Sequence, residues 1–145
     1  MSLPGGVLHE TRHWRVEHCV GPLEIGALIV KPKRHVVRVS ELEPEEAAEL
    51  GGTLRAAAGA VDALIRPEQV YVTLWSHAGG VPVHIHWVIQ PVTRALLDSF
   101  GLRGPHLQVA MFDRNETPAE AEVEAIAVEF REWFASNAVA GSREP

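Results

Sequence analysis

Short segments in which apolar residues dominate, or alternate with polar ones, predict a small antiparallel sheet. Two of them, residues 14–20 and 27–30, are separated by Gly21, Pro22 and Gly26, which are typical of turns between antiparallel strands. Residues 69–75 alternate in the same way, and small residues at positions 78–80 follow them. We expect this third segment to pair antiparallel with the apolar run that comes next.

That run, residues 82–91, places His84 and His86 two residues apart in an otherwise apolar stretch. Side chains alternate across a strand, so the two imidazoles share one face, and Val88 and Gln90 extend it. The opposite face carries the apolar side chains that a sheet buries against its core, which are Val83, Ile85, Trp87 and Ile89. We therefore predict that a site forms on the face of the histidine pair.

Helical patterns occupy much of the remaining chain. Apolar residues recur near helical spacing from Pro44 to about Ile65, and a shorter helix is predicted over residues 93–102. Residues 117–120 have the pattern of a capping box, followed by a C-terminal helix over about residues 118–137. Gly51 and Gly52 either weaken the first helix or let it pack closely on the sheet. The apolar stripe of the last helix is assigned to the core and consists of Val123, Ile126, Ala127, Phe130 and Phe134.

Length, composition and charge narrow the class of protein. The chain has 145 residues, of which 46% are hydrophobic, so we expect one α+β domain over residues 1–145. The net charge of -6 argues against binding of a nucleic-acid polymer, which needs a basic surface. Cys19 is the single cysteine, so no intramolecular disulfide is expected. Neither a secretion signal nor an apolar run of ~18 residues is present, which predicts a cytoplasmic protein that does not enter the membrane.

Three interpretations of the histidine pair follow from the residues alone. The imidazoles could be hydrogen-bonded groups of the sheet. They could hold zinc or iron if His35, His77 or His106 supplied a third ligand, although no carboxylate completes an obvious triad. In the third interpretation, a neutral imidazole attacks phosphorus and its neighbour orients it or protonates the leaving group.

The histidine segment resembles the signature of the histidine triad (HIT) proteins, a His-φ-His-φ-His-φ-φ pattern that often continues as Trp-His-φ-φ-Pro. The matching residues run from His84 to Pro91, as His-Ile-His-Trp-Val-Ile-Gln-Pro. Upstream, residues 28–36 are similar to the family's strand ending in Pro-Lys-X-His. Residues 42–46, Leu-Glu-Pro-Glu-Glu, are similar to its Leu-Thr-Pro-Glu-Glu helix start. The resemblance covers roughly residues 8–92.

This resemblance implies an α+β fold with a five-stranded antiparallel sheet, a long helix packed on it, and nucleotide or phosphate-ester ligands. It also implies a homodimer, which we expect to form through the helix from Pro44 and the strand from Gln69. His86 matches the central histidine, which attacks the α-phosphate to form a nucleotidyl-histidine that water hydrolyses. His84 matches the first histidine of the triad, which supports the nucleophile, and His35 matches a histidine that lines the same site.

The remaining assignments concern substrate contacts. We assign substrate binding to His77, Gly80 and Gln90, and we assign no cofactor and no metal ligand. Lys33 and Arg34 are interpreted as solvated surface charges.

The chain departs from the family pattern at two places. Val88 occupies the third histidine position, and valine can neither donate a hydrogen bond nor carry a proton. General acid–base help is typically worth ~10²–10⁴-fold, so its loss implies a slow enzyme or a pure binder. Residues 77–81 also differ from the Gly-Gln-Ser/Thr stretch that usually precedes the triad. The function expected is nucleotide hydrolysis or nucleotidyl transfer through His86. The alternatives are an inactive nucleotide-binding regulatory dimer and a histidine-based metalloprotein.

Overall fold

The computed structural model describes residues 3–76 and 84–141, and a five-stranded antiparallel sheet organises them. The strand order is β1-β2-β3-β5-β4. The sheet is therefore antiparallel, as the residue pattern predicted, and has the five strands that the family resemblance implied. Its strands are β1 (Val7–Glu10), β2 (Trp14–His18), β3 (Leu28–Pro32), β4 (Gln69–Thr73) and β5 (Trp87–Val92).

Four α-helices accompany the sheet in the described residues. They are α1 (Pro44–Ile65), α2 (Arg94–Phe100), α3 (Gly104–Arg114) and α4 (Glu120–Gly141). Helices α1, α2 and α4 correspond to the predicted helices. Thr93 caps α2, because its side chain accepts a hydrogen bond from the Leu96 amide. The third helix was not predicted. None of the helices in these ranges is long and apolar enough to span a bilayer.

Helices α1 and α4 cover one face of the sheet, as the apolar stripe of α4 predicted. Val123, Ala127, Phe130 and Phe134 of that stripe are buried, and Ile126 packs beside them. They share a core with sheet residues such as Trp14 and Ile89. Leu107 and Met111 of α3, together with Leu96 of α2, form a second, smaller core on the other face with Val88 and Val92. The candidate site lies on this second face, beside the smaller core.

The predicted histidine strand is wrong in its extent. Strand β5 begins at Trp87, so His84 and His86 precede it, and residues 82 and 83 lie outside the described residues. The reason is that the main chain at Ile85 bonds to Val36 in the loop after β3 rather than to a strand of the sheet. The Ile85 amide donates to the Val36 carbonyl (2.8 Å), and the Val36 amide donates to the His84 ring.

Gly51 and Gly52 of α1 face solvent. Apart from the helix's own backbone, no described atom lies within 4 Å of a Cβ placed on Gly51 or Gly52. Close packing of these glycines on the sheet, one of the two alternatives left open by the sequence, is therefore wrong.

Candidate active site

Backbone groups hold the His84 ring at both of its nitrogens. Its Nε2 lies 2.9 Å from the Pro32 carbonyl oxygen, and its Nδ1 lies 3.3 Å from the Val36 amide nitrogen. A carbonyl can only accept and an amide N–H can only donate, so Nε2 carries the proton and Nδ1 carries the lone pair. The neutral imidazole therefore has neither a donor nor an acceptor left for a ligand. Its geometry suits positioning of the neighbouring segment.

The His86 ring is fixed at one nitrogen only. Its Nδ1 lies 3.2 Å from the carbonyl oxygen of His84, so Nδ1 donates and carries the ring proton. In the neutral ring the lone pair is then on Nε2, for which the described residues supply no hydrogen-bond partner. A neutral imidazole with one nitrogen anchored and the other available is the form that a nucleophile or a general base requires.

The third predicted histidine lies beside this pair. The His35 ring stacks on the His84 ring with 5.4 Å between centroids and 22° between planes, and its side chain is exposed. Burial lowers the pKa of His84, and the neighbouring His35, Lys31 and His86 lower it further, against the Pro32 hydrogen bond, which raises it. The structure thus brings His35, His84 and His86 together and keeps His84 neutral at physiological pH.

A largely apolar cavity of about 540 Å³ lies beside the two central histidines. Val88 is 8% exposed and points into it, because Val88 is paired with Ile29 of β3 and directly paired residues share a face. His84, His86 and Val88 all line this cavity, although of the three only Val88 belongs to a strand. Its lining residues are Leu3, Cys19, Val20, Gly21, Leu23, Ile29, Lys31, His84, His86, Val88 and Phe112.

Lys31 is a charged residue in this apolar wall that sequence reasoning did not single out. Its Nζ lies 2.5 Å from a carboxylate oxygen of Glu17, whose side chain is 6% exposed. The sequence pattern does indicate this position, because Lys31 follows Ile29 by two residues on an otherwise apolar strand and so shares its face. Phe112, by contrast, reaches the cavity from α3, and no local pattern indicates that.

The other sequence-predicted residues lie apart from the histidines or outside the described ranges. Gln90 shares the sheet face of Val88 but is fully buried beneath α3, where its Oε1 accepts from Gln108 Nε2 (3.0 Å). It does not line the apolar cavity. His77 and Gly80 fall in residues 77–83, which are not described. His106 is exposed on α3.

A second, basic cavity of about 260 Å³ adjoins the first. It is lined by Arg15, Lys31, Pro32, Lys33, His35 and His84. Lys33, interpreted from the sequence as a surface charge, thus lines a cavity. Arg34 has a structural contact instead, because its Nη2 donates to a Glu46 carboxylate oxygen at 2.7 Å.

No cluster suited to a metal was found in residues 3–76 and 84–141. Within these ranges, no group of three or more histidine, cysteine, aspartate or glutamate side chains is arranged to hold an ion.

Comparison with known proteins relates this fold to a family. No protein-family model matches the sequence, and no curated protein matches it significantly. A hypothetical histidine triad nucleotide-binding protein from Sulfolobus tokodaii has a TM-score of 0.68 at 17% identity, over 90% of this chain and 83% of that one. A diadenosine triphosphate hydrolase from Plasmodium falciparum has a TM-score of 0.66 at 14% identity, over 90% of this chain and 76% of that one.

A third solved structure, the C. elegans NitFhit protein, has a TM-score of 0.65 at 19% identity. The match covers 89% of this chain, which spans only 27% of that protein. At these identities the likeness concerns the fold. The chain has the fold of histidine triad proteins, as its sequence resemblance implied.

Proposed function

We propose that this chain is a histidine triad protein that hydrolyses nucleotide phosphate esters or phosphoramidates, or transfers their nucleotidyl group, through His86. The observation that carries the proposal is the anchoring of His86. Its Nδ1–H donates to the His84 carbonyl, which leaves the lone pair on Nε2 at the wall of a cavity. The fold shared with a diadenosine triphosphate hydrolase supports the same class of substrate.

The proposed reaction has two steps. In the first, His86 Nε2 attacks the α-phosphorus, a P–N bond forms, and the leaving group departs with the electron pair of the bond that breaks. The ring becomes cationic, and the His84 carbonyl stabilises it by holding the Nδ1 proton. In the second, water attacks phosphorus, the P–N bond breaks, a water proton passes to solvent, and neutral His86 is regenerated.

Val88 determines which leaving groups can depart readily from this site. Valine at this position cannot protonate a departing oxygen or nitrogen, and both nitrogens of the neighbouring His84 already bond to the backbone. We therefore expect turnover to depend steeply on the leaving group. Nucleoside phosphates with acidic leaving groups, such as p-nitrophenol, are expected to react much faster than alkyl esters of the same nucleotide.

The alternative function is nucleotide binding with little or no catalysis. Val88 is the observation that favours it, because the cavity and the histidine pair are retained while the third imidazole is absent. In either case the apolar cavity offers a binding site for the nucleoside, and Lys31 at its wall offers a cation for the phosphate.

Covalent trapping separates the two functions. The protein is incubated with an α-³²P-labelled nucleotide, quenched in alkali, in which phosphohistidine survives, and analysed for label on a peptide containing His86. We expect label on the wild type and none on His86→Ala. His106→Ala, which removes an exposed imidazole from α3, is the matched control and is expected to keep the label. Binding of the nucleotide without any trapped label would instead support the binding protein.

A further inference from the structure

The basic cavity is an unusual concentration of positive charge on an acidic chain. Arg15, Lys31 and Lys33 line it together with two imidazoles, His35 and His84, although the net charge of the protein is -6. The three cations project from neighbouring elements, β2, β3 and the loop after β3. Its volume of about 260 Å³ is several times the ~30 Å³ occupied by one water in the liquid, so a phosphate-sized anion has room there.

The carboxylates nearby do not fully neutralise these cations. Glu10 lies 2.7 Å from the Arg15 Nε and 3.9 Å from the Lys33 Nζ, and Glu17 pairs with Lys31. Among the described residues, two carboxylates thus pair with three cations, and neither carboxylate lines the cavity itself. The Arg15 and Lys33 side chains remain 46% and 32% exposed, so each can make a further contact with an anion.

The basic cavity continues the candidate active site. Lys31 and His84 line both cavities, whereas His86 lines only the apolar one. A chain of phosphates that begins beside His86 can therefore pass Lys31 and reach Arg15, Lys33 and His35. The apolar cavity offers no comparable charge beyond Lys31.

We propose that the basic cavity is a second anion site, which holds the phosphates beyond the one attacked by His86. This inference rests on the proposed function. The preferred substrate is then a nucleotide whose leaving group is itself a phosphate chain, rather than a nucleotide with a neutral leaving group. A phosphate chain also leaves as an anion of low basicity, which suits a site in which Val88 replaces the proton donor.

The first test measures direct binding of inorganic tripolyphosphate by calorimetry, which requires no turnover. Arg15→Gln/Lys33→Gln removes two exposed cations of the cavity. Arg55→Gln is the matched control, because Arg55 is exposed on α1 at the opposite face of the sheet. We expect the double variant to bind about tenfold more weakly than the wild type, as for the loss of two exposed ionic contacts, and Arg55→Gln to bind normally. Equal affinity in all three proteins would overturn the anion site.

The second test compares two substrates in the same variants. The double variant should lower kcat/KM for a nucleoside triphosphate about tenfold more than for a nucleoside phosphoramidate, whose amine leaving group carries no negative charge. An equal loss for both substrates would overturn the role of the cavity in holding the leaving group. Unchanged far-ultraviolet circular dichroism verifies that the variants fold.

The proposed hydrolase function and the proposed second anion site are refuted by different results. If no label is trapped on His86 while tripolyphosphate binding still depends on Arg15 and Lys33, the hydrolase is refuted and the anion site remains as part of a binding protein. If label is trapped but substitution of Arg15 and Lys33 leaves tripolyphosphate affinity unchanged, the hydrolase proposal is supported and the second anion site is refuted.

Discussion

Main-chain groups position the two central histidines, and they thereby fix the ring of His86, the proposed nucleophile. The two ring nitrogens of His84 bond to the backbone of Pro32, the last residue of β3, and of Val36 in the loop after it, and the His84 carbonyl orients His86. The His84 side chain thus fixes the segment, and its main-chain carbonyl orients the ring of the proposed nucleophile, His86. Of the three triad positions, only Val88 lacks any polar function.

Substitution of Val88 tests whether the missing imidazole limits catalysis. Val88→His places a ring in the cavity shared with His84 and His86, where it can donate a proton to the leaving group. We expect turnover of a nucleoside phosphoramidate to rise about tenfold, which corresponds to ~1.4 kcal/mol of barrier. The unfolding free energy should fall by ~1–3 kcal/mol if the new ring finds no hydrogen-bond partner.

The control for this prediction is His86→Ala in both backgrounds, which should abolish activity. If Val88→His folds normally and turnover is unchanged, while His86→Ala still binds nucleotide, the hydrolase proposal fails and nucleotide binding is the better account.

The buried His18 predicts how stability depends on pH. Its Nδ1 lies 2.6 Å from the Cys19 carbonyl and its Nε2 accepts the Gly26 amide at 2.8 Å, so the packed ring is neutral. Burial lowers the pKa of His18 below its usual value near 6.5. The unfolded chain then binds a proton that the folded protein does not. The contribution of His18 to the free energy of unfolding should be fully present above about pH 6.5. Below that pH it should fall by up to ~1.4 kcal/mol per pH unit until the pH reaches the pKa of His18 in the folded protein.

Urea unfolding at a series of pH values checks this expectation. His18→Gln removes the titrating group and should flatten the dependence below about pH 6.5, although a residual slope of the same sign is expected from His84, whose pKa is also lowered. His106→Gln, on the exposed side of α3, is expected to keep the wild-type profile. If His18→Gln keeps the wild-type pH dependence of the unfolding free energy, that dependence does not come from His18.

At the scale of elements, the start of α1 depends on one carboxylate. Glu46 is 3% exposed, and its Oε1 accepts from the Glu43 amide and from Arg34 Nη2, both at 2.7 Å. The hydrogen bond from Arg34 and the one from the Glu43 amide lower the pKa of Glu46. This carboxylate joins the helix start to the loop that follows β3 and bears His35.

Removal of that carboxylate should destabilise the protein more than removal of its neighbour. Glu46→Ala loses the cap and a charge-assisted hydrogen bond, so we expect the unfolding free energy to fall by ~1–3 kcal/mol. Glu45→Ala removes an exposed carboxylate from the same turn and should cost less than ~1 kcal/mol. Equal losses in urea unfolding would show that the contacts of Glu46 contribute nothing beyond helix-dipole effects.

Elements with a strong local pattern could be predicted from the sequence. Helix α1 begins at Pro44 and ends at Ile65 as expected, because its proline, its first-turn glutamates and its apolar spacing all agree. Helix α3 could not be predicted, since only Leu107, Gln108 and Met111 of its 11 residues are buried and glycine and proline open it. Its packing also explains Gln90, a polar residue on a sheet face that α3 covers.

The candidate site could be predicted in part, because local periodicity indicates some of its residues and long-range contacts bring in the others. Strand alternation predicted that His84, His86 and Val88 share one side, and all three line one cavity although β5 begins only at Trp87. The start of β5 at Trp87 depends on contacts of the segment with Val36, about 50 residues earlier in the chain, and no local periodicity encodes them. Lys31 and Arg15 meet near His84 through pairing of β2 with β3, which is again a long-range arrangement.

At the scale of the whole molecule, the sheet has one edge suited to self-association. Strand β4 is an edge strand of the described sheet, and Val72 on it is 44% exposed. Trp75, just beyond the strand, is 63% exposed. An open edge with apolar side chains is a site at which another strand can add, and pairing two copies removes it. We therefore propose a homodimer that joins through β4 and the neighbouring α1.

Sedimentation equilibrium at micromolar concentration tests this proposal, with 15.9 kDa expected for a monomer and about twice that for the dimer. Val72→Lys places a charge on the edge strand and should shift the mass toward the monomer. Val128→Lys is the matched control, because Val128 is 48% exposed on α4, which packs against β1 at the other edge of the sheet. If the wild type sediments as a monomer, the β4 interface is refuted. If both variants remain dimeric, the dimer forms through another surface, and the open edge of β4 then requires a different explanation.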